Sequence, residues 1–101
     1  MRKRLLNDYD VMNVAAKIIV SGRVQGVGFR WFVFKEAQQV KVSGQVHNRS
    51  DGSVEIVVEG DKQAIERLLS RVHHGPAFSY VTDVQTTWQV YTGSYKEFNI
   101  V

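Results

Sequence analysis

The sequence predicts an α+β domain in which two helices pack on one face of an antiparallel sheet, and three observations carry that prediction. Short β-branched runs alternate with two amphipathic segments in the order strand, helix, strand, strand, helix, strand. The middle two strands are separated by Arg49, Ser50, Asp51 and Gly52, where Asp-Gly supplies the positive φ of a tight hairpin. At 101 residues and 44% hydrophobic content the chain can bury one core and not two.

Each element has its own signal. Residues 16–21 read as a strand because Ile18, Ile19 and Val20 are β-branched and Gly22 stops the run. The segment Phe29–Val40 reads as a helix, since Phe29, Phe32, Val33, Ala37 and Val40 recur at spacings of three and four, with Trp31 and Phe34 widening that apolar face. Residues 42–48 and 53–59 follow as strands. Asp61 can cap the second helix, where Ile65, Leu68, Leu69 and Val72 form one stripe and Gly75-Pro76 stops the chain. Residues 80–90 and 97–101 complete the set as strands, with Gly93 in the turn between them and the last strand a short addition. This order is the split βαβ arrangement of ferredoxin-like folds. No repeat or linker interrupts it, so residues 14–101 are one domain behind a flexible tail at 1–13.

Composition removes several classes of function. The absence of cysteine excludes disulfides, thiolate nucleophiles and cysteine-ligated metal centres, and suits a reducing compartment; a cytoplasmic location is expected. Arg2, Lys3 and Arg4 lead into Asn and Asp before any apolar run forms, so the start is no signal peptide, and no stretch is long enough to span a membrane. Of the formal +3, the first 13 residues hold +1 and the rest +2, a mild bias toward anions that falls short of a nucleic-acid-binding stripe. A monomer acting on a small molecule, with no nucleic acid and no membrane as partner, is expected.

The chemistry concentrates in "SGRVQGVGFRWFVF", residues 21–34, between the first strand and the first helix. Free N–H groups of a glycine-rich loop and the positive end of the helix dipole converge there, which makes an anion site. Gly26 and Gly28 can take backbone angles closed to other residues and let an oxyanion approach the amides. Arg30, in the first helical turn, adds a planar two-pronged donor matched to phosphate oxygens. Glycines also serve ordinary strand-to-helix turns, so the loop alone leaves that alternative open. A nucleoside triphosphate loop would need Lys and Ser or Thr where Phe29 and Arg30 stand. The dinucleotide fingerprint has different glycine spacing, and a thiolate phosphatase would need cysteine at Val24.

Taken together, "GRVQGVGFR" at residues 22–30, then Gly44, Val46 and Asn48, then "DGSVEIVVEG" at residues 51–60, resemble the acylphosphatase family in order and spacing over residues 16–101. The resemblance implies a ferredoxin-like fold and hydrolysis of a carboxyl–phosphate anhydride without metal or organic cofactor. It implies that the loop formed by Arg23, Val24, Gln25, Gly26, Val27, Gly28, Phe29 and Arg30 cradles the phosphate, that Arg30 binds it, and that Asn48 holds the attacking water. Inorganic phosphate is then product and competitive inhibitor. Arg23 is either a second phosphate contact or a clamp on the loop.

The residues can perform that chemistry. An acyl phosphate expels a carboxylate whose conjugate acid has a pKa of about 4 to 5, so no general acid is needed. Phosphate neutralisation and one well-placed water are sufficient. Asn48 is neutral and orients water instead of deprotonating it. An asparagine beside a turn also serves local hydrogen bonding, and Asn48-Arg49-Ser50 matches a glycosylation acceptor that no secretion signal accompanies. His73-His74 fits a helix C-terminus facing its dipole better than a metal site.

Three positions depart from the family pattern. Lys41 stands where a glycine usually ends the first helix, Gln45 replaces a tryptophan, and His47 replaces a fixed positive charge. Two other readings share the fold: a non-catalytic module binding phosphate or carbamoyl phosphate, and an RNA-binding domain. The latter would need "GVGFRWFVF" on a third strand with its aromatics exposed.

Overall fold

In the computed structural model, which describes residues 12–101, the chain forms five strands and two helices. They are β1 Asn13–Arg23, α1 Phe29–Val40, β2 Ser43–Asn48, β3 Val54–Asp61, α2 Lys62–His74, β4 Tyr80–Gln89 and β5 Phe98–Ile100. Most of the expected N-terminal tail, including the three basic residues, lies outside the described residues, and β1 already begins at Asn13. Among the described residues no helix is long and apolar enough to cross a membrane.

The sheet order is β4-β1-β3-β2-β5. β1 pairs antiparallel with β3 and β4, and β2 pairs antiparallel with β3. The fifth strand corrects the expectation of an antiparallel sheet, because β5 pairs parallel with β2 and makes the sheet mixed. The cause is topological. Residues 90–97 carry the chain across one end of the sheet, from the β4 edge to the β2 edge. The chain enters β5 running opposite to β4, which is the direction of β2.

Alternation on the strands aims Ala16, Ile18 and Val20 of β1 and Val54, Ile56 and Val58 of β3 into the core, all of them fully buried. The helices bring Phe29, Val33 and Ala37 from α1 and Ile65, Leu68 and Val72 from α2 onto the same layer. Arg71 of α2 ties the helices together by donating to Glu36 at 2.8 Å and to Gln39 at 3.2 Å. Trp31 departs from its expected place: two residues from both Phe29 and Val33, it lies about 200° around the helix from each and projects into solvent. The aromatic run is helical with Phe29 buried, so it cannot form the exposed strand platform that stacks on RNA bases.

The helix ends agree with their sequence signals in part. Asp61 precedes α2 as expected, but its carboxylate accepts from the Met12 amide at 3.3 Å instead of capping its own helix. At the other end His73 and His74 each bond through Nδ1 to a carbonyl one turn back, Leu69 at 2.8 Å and Ser70 at 3.1 Å. Lys41 ends α1 in the left-handed region, at φ 64° and ψ 54°, with its amide donating to Ala37 at 2.9 Å. A side chain there is strained. Lys41→Gly is expected to raise stability by about 0.5 to 1 kcal/mol, the relief of that strain less glycine's extra unfolded entropy, read as a higher melting temperature.

Glu59 is the one buried carboxylate among the described residues. It fastens the crossing segment: the Thr92 amide and hydroxyl donate to Oε2 at 3.0 and 2.6 Å, and the Ser94 amide donates to Oε1 at 3.1 Å. Burial would push its carboxyl up, but these hydrogen bonds outweigh burial and hold it below the ordinary 4.5. A depressed folded value means that Glu59 contributes stability above about pH 4.5 and loses it as pH falls through the folded value. Glu59→Gln should therefore melt lower than the parent at neutral pH, with the gap narrowing toward pH 3. A constant gap from pH 3 to 7 would remove Glu59 from the acid response.

Candidate active site

β1 and β2 both run antiparallel to β3, so their C-terminal ends lie at the same end of the sheet. The loop after β1 and Asn48, the last residue of β2, are thereby neighbours although Arg30 and Asn48 stand 18 positions apart in the sequence. They line a cavity of about 190 Å³ together: Val24, Gly26, Gly28, Phe29 and Arg30 from the loop and first helical turn, with Asn48, Trp31 and Ile100.

The loop geometry suits an oxyanion. Gly26 and Gly28 have φ of 74° and 78°, which disfavours any side chain, and a Cβ at either would meet nothing within 4 Å. Both glycines line the cavity. Gly28 precedes α1 without a side-chain cap, and the first turn of α1 holds no acidic residue, so the first-turn N–H groups and the dipole are free for an anion. Arg30 is half-buried, and among the described residues no carboxylate pairs with it.

The other loop residues do different work. Gln25 turns away from the cavity, and its Nε2 donates to the carbonyls of Arg49 at 2.8 Å and Ser53 at 2.9 Å. Those two residues close the β2–β3 hairpin through the Arg49 amide and Ser53 carbonyl at 2.8 Å. Gln25 thus ties the loop to the hairpin that begins at Asn48. Val27 packs against the core, and Arg23 is exposed at the end of β1 opposite Tyr80, outside the cavity lining. Of the eight loop residues expected at the phosphate, the structure brings five to the cavity lining and turns the side chains of three elsewhere.

Asn48 is held through its backbone, opposite Val54 in the β2–β3 ladder. Its side-chain Oδ1 is buried and has no hydrogen-bond partner among the described residues. A buried amide oxygen without a partner is costly unless a ligand or water completes it. Beside it, His47 faces the other side of the sheet, where Nε2 lies 3.2 Å from Glu55, and Gln45 sits opposite Val57. Both departures from the family pattern are therefore on the face away from the helices, and neither lines the cavity.

Trp31 and Ile100 are the lining residues that sequence reasoning missed. The helical angle separating Trp31 from Phe29 was a usable signal. Ile100 carried none, because its place depends on the parallel register that sets it opposite Val46.

The acylphosphatase family model matches residues 16–100. The chain belongs to the acylphosphatase family. Membership makes it a hydrolase acting on acid anhydrides, with a small acyl phosphate as substrate. The acylphosphatase of Bacillus subtilis is 47% identical over 85 residues, covering 84% of this chain and 93% of the relative. Its crystal structure superposes with a TM-score of 0.85 at 45% identity, covering 87% of this chain and 98% of that one. An acylphosphatase from Coxiella burnetii superposes at 0.83 with 34% identity, covering 88% and 93%. Full-length HypF, in a phosphate- and nucleotide-bound form, matches at 0.83 with 36% identity, covering 99% of this chain and 12% of HypF. The ferredoxin-like reading of this acylphosphatase fold accords with both the family and its solved members.

Proposed function

We propose that this acylphosphatase cleaves acyl phosphates by direct attack of water, with the loop at 23–30 and Arg30 holding the phosphate and Asn48 orienting the nucleophile. The observation that carries the proposal is the convergence in one cavity of positive-φ glycine backbone, an uncapped helix start, Arg30 and Asn48. The loop amides and the Arg30 guanidinium neutralise the phosphoryl oxygens and fix the phosphorus. Asn48 orients the water through its side-chain amide, which accepts at oxygen and donates at nitrogen, and aims it opposite the departing carboxylate. The carboxylate leaves unprotonated, and a phosphoryl oxygen takes the water's proton. Loop, arginine and asparagine supply positioning and charge, which is all this reaction asks of a protein.

The proposal includes a cytoplasmic monomer that needs no metal, nucleic acid or membrane. Purified protein should hydrolyse benzoyl phosphate undiminished in EDTA, with inorganic phosphate competing for the cradle. Activity lost in EDTA and restored by a divalent cation would replace this mechanism with a metal-assisted one. Phosphate binding without turnover would favour the non-catalytic module, the reading that the match to one segment of HypF keeps in view.

A further inference from the structure

The mouth of the cavity carries an aromatic wall that the phosphoryl chemistry does not use. Trp31 follows Arg30 directly, lines the same cavity and is 55% exposed. Its ring stacks on Phe34, with centroids 5.3 Å apart and planes 15° apart, and Phe34 lies 6.5 Å from the buried ring of Phe98. The exposed tryptophan is therefore braced by a chain of aromatics that ends in the core. Lys35 adds to the bracing, with Nζ 5.9 Å from the Trp31 ring centroid. Ile100, also exposed, reaches the cavity from β5.

In-line attack fixes where the acyl group goes. Water, phosphorus and leaving oxygen share one line, so the acyl group projects away from the water held at Asn48 and out through the mouth. Of the apolar side chains lining the cavity, Val24 and Phe29 are buried, which leaves Trp31 and Ile100 to meet a group in the mouth. A rigid indole offers a large contact area at little entropic cost and favours an aromatic neighbour in stacked or edge-on geometry.

We propose that Trp31 is the contact for the acyl group, and that it selects aryl and bulky apolar acyl phosphates over small ones such as acetyl phosphate. The inference rests on the acyl phosphate reading above and adds the class of acyl group that the site favours. Arg30 and the loop handle the phosphate common to every substrate, so Trp31 acts on the part that differs.

The test compares kcat/KM for benzoyl and acetyl phosphate in the parent, Trp31→Ala and Trp31→Phe. Taking the ratio of the two substrates, and then comparing variants, cancels their intrinsic reactivities. Trp31→Ala should lower the benzoyl-to-acetyl ratio about tenfold, the size expected for losing one aromatic contact, while Trp31→Phe keeps most of it. Trp31→Gln removes the ring but keeps a good helix former, and must show the same shift should Trp31→Ala melt early. Equal losses on both substrates, or an unchanged ratio, would overturn the inference and leave the acyl phosphate reading standing. No turnover of either substrate by the parent would overturn that reading, and this inference with it.

Discussion

Arg30→Ala is expected to raise KM and lower kcat together, and to abolish most inhibition by inorganic phosphate. Arg30 lies in the first turn of α1, half-buried, with no acidic partner among the described residues, so its charge is uncommitted within the protein. A guanidinium in that position binds the phosphate in the ground state and holds the three equatorial oxygens, over which charge is spread, as they flatten in the transition state. Its removal should cost about 3 to 4 kcal/mol in kcat/KM, the upper range for losing one preorganised donor. Arg30→Lys keeps the charge without the fork and should recover phosphate inhibition more than kcat. Folding is not at risk, since α1 is anchored by Phe29, Val33 and Ala37 and not by Arg30. Circular dichroism and a melt establish that point. A folded Arg30→Ala protein that still bound phosphate as the parent does would move the anion site away from this loop.

The parts of the molecule legible in the sequence are those set by local pattern. Helix α1 was readable to its end residues because a glycine loop precedes it and its apolar stripe stops at Val40. The stripe of α2 and the hairpin at Asp51-Gly52 were equally plain, since spacing and turn chemistry are local. What escaped depends on contacts between distant segments. Glu59 alternates with Val58 and should face water, yet it is buried because residues 92–94 fold over it from the far end of β4. The direction of β5 is set by the same crossing segment and by nothing within its three residues. Asn48 by its own neighbours is an ordinary turn asparagine. Family spacing marked it, and the parallel course of β1 and β2 with the Gln25 bonds explains why it stands beside Arg30. Trp31 was a misreading of a signal that was present, because an aromatic two positions from Phe29 and Val33 belongs on the opposite face.

Asn48→Ala should fail in a different way from Arg30→Ala. The side chain contributes no hydrogen bond to the loop, its Oδ1 having no partner among the described residues, and the backbone of Asn48 stays in the ladder opposite Val54 whatever the side chain. The cradle made by Gly26, Gly28 and Arg30 is therefore left standing. Phosphate should inhibit the variant nearly as it does the parent, and KM should change little. What is lost is the placement of one water, so kcat should fall by about a hundredfold or more. Stability sets a second expectation. Removing a side chain whose oxygen bonds to no other described residue takes no hydrogen bond from the fold through that atom, so Asn48→Ala should melt near the parent temperature while losing activity. Stability kept while activity falls separates a working residue from a structural one. Asn48→Asp sharpens the test, because it keeps the shape but sets a negative charge toward the phosphate. It should raise KM and weaken phosphate inhibition, which Asn48→Ala does not. A folded Asn48→Ala protein with parental kcat would take Asn48 out of the reaction and leave the water to be placed by the loop alone.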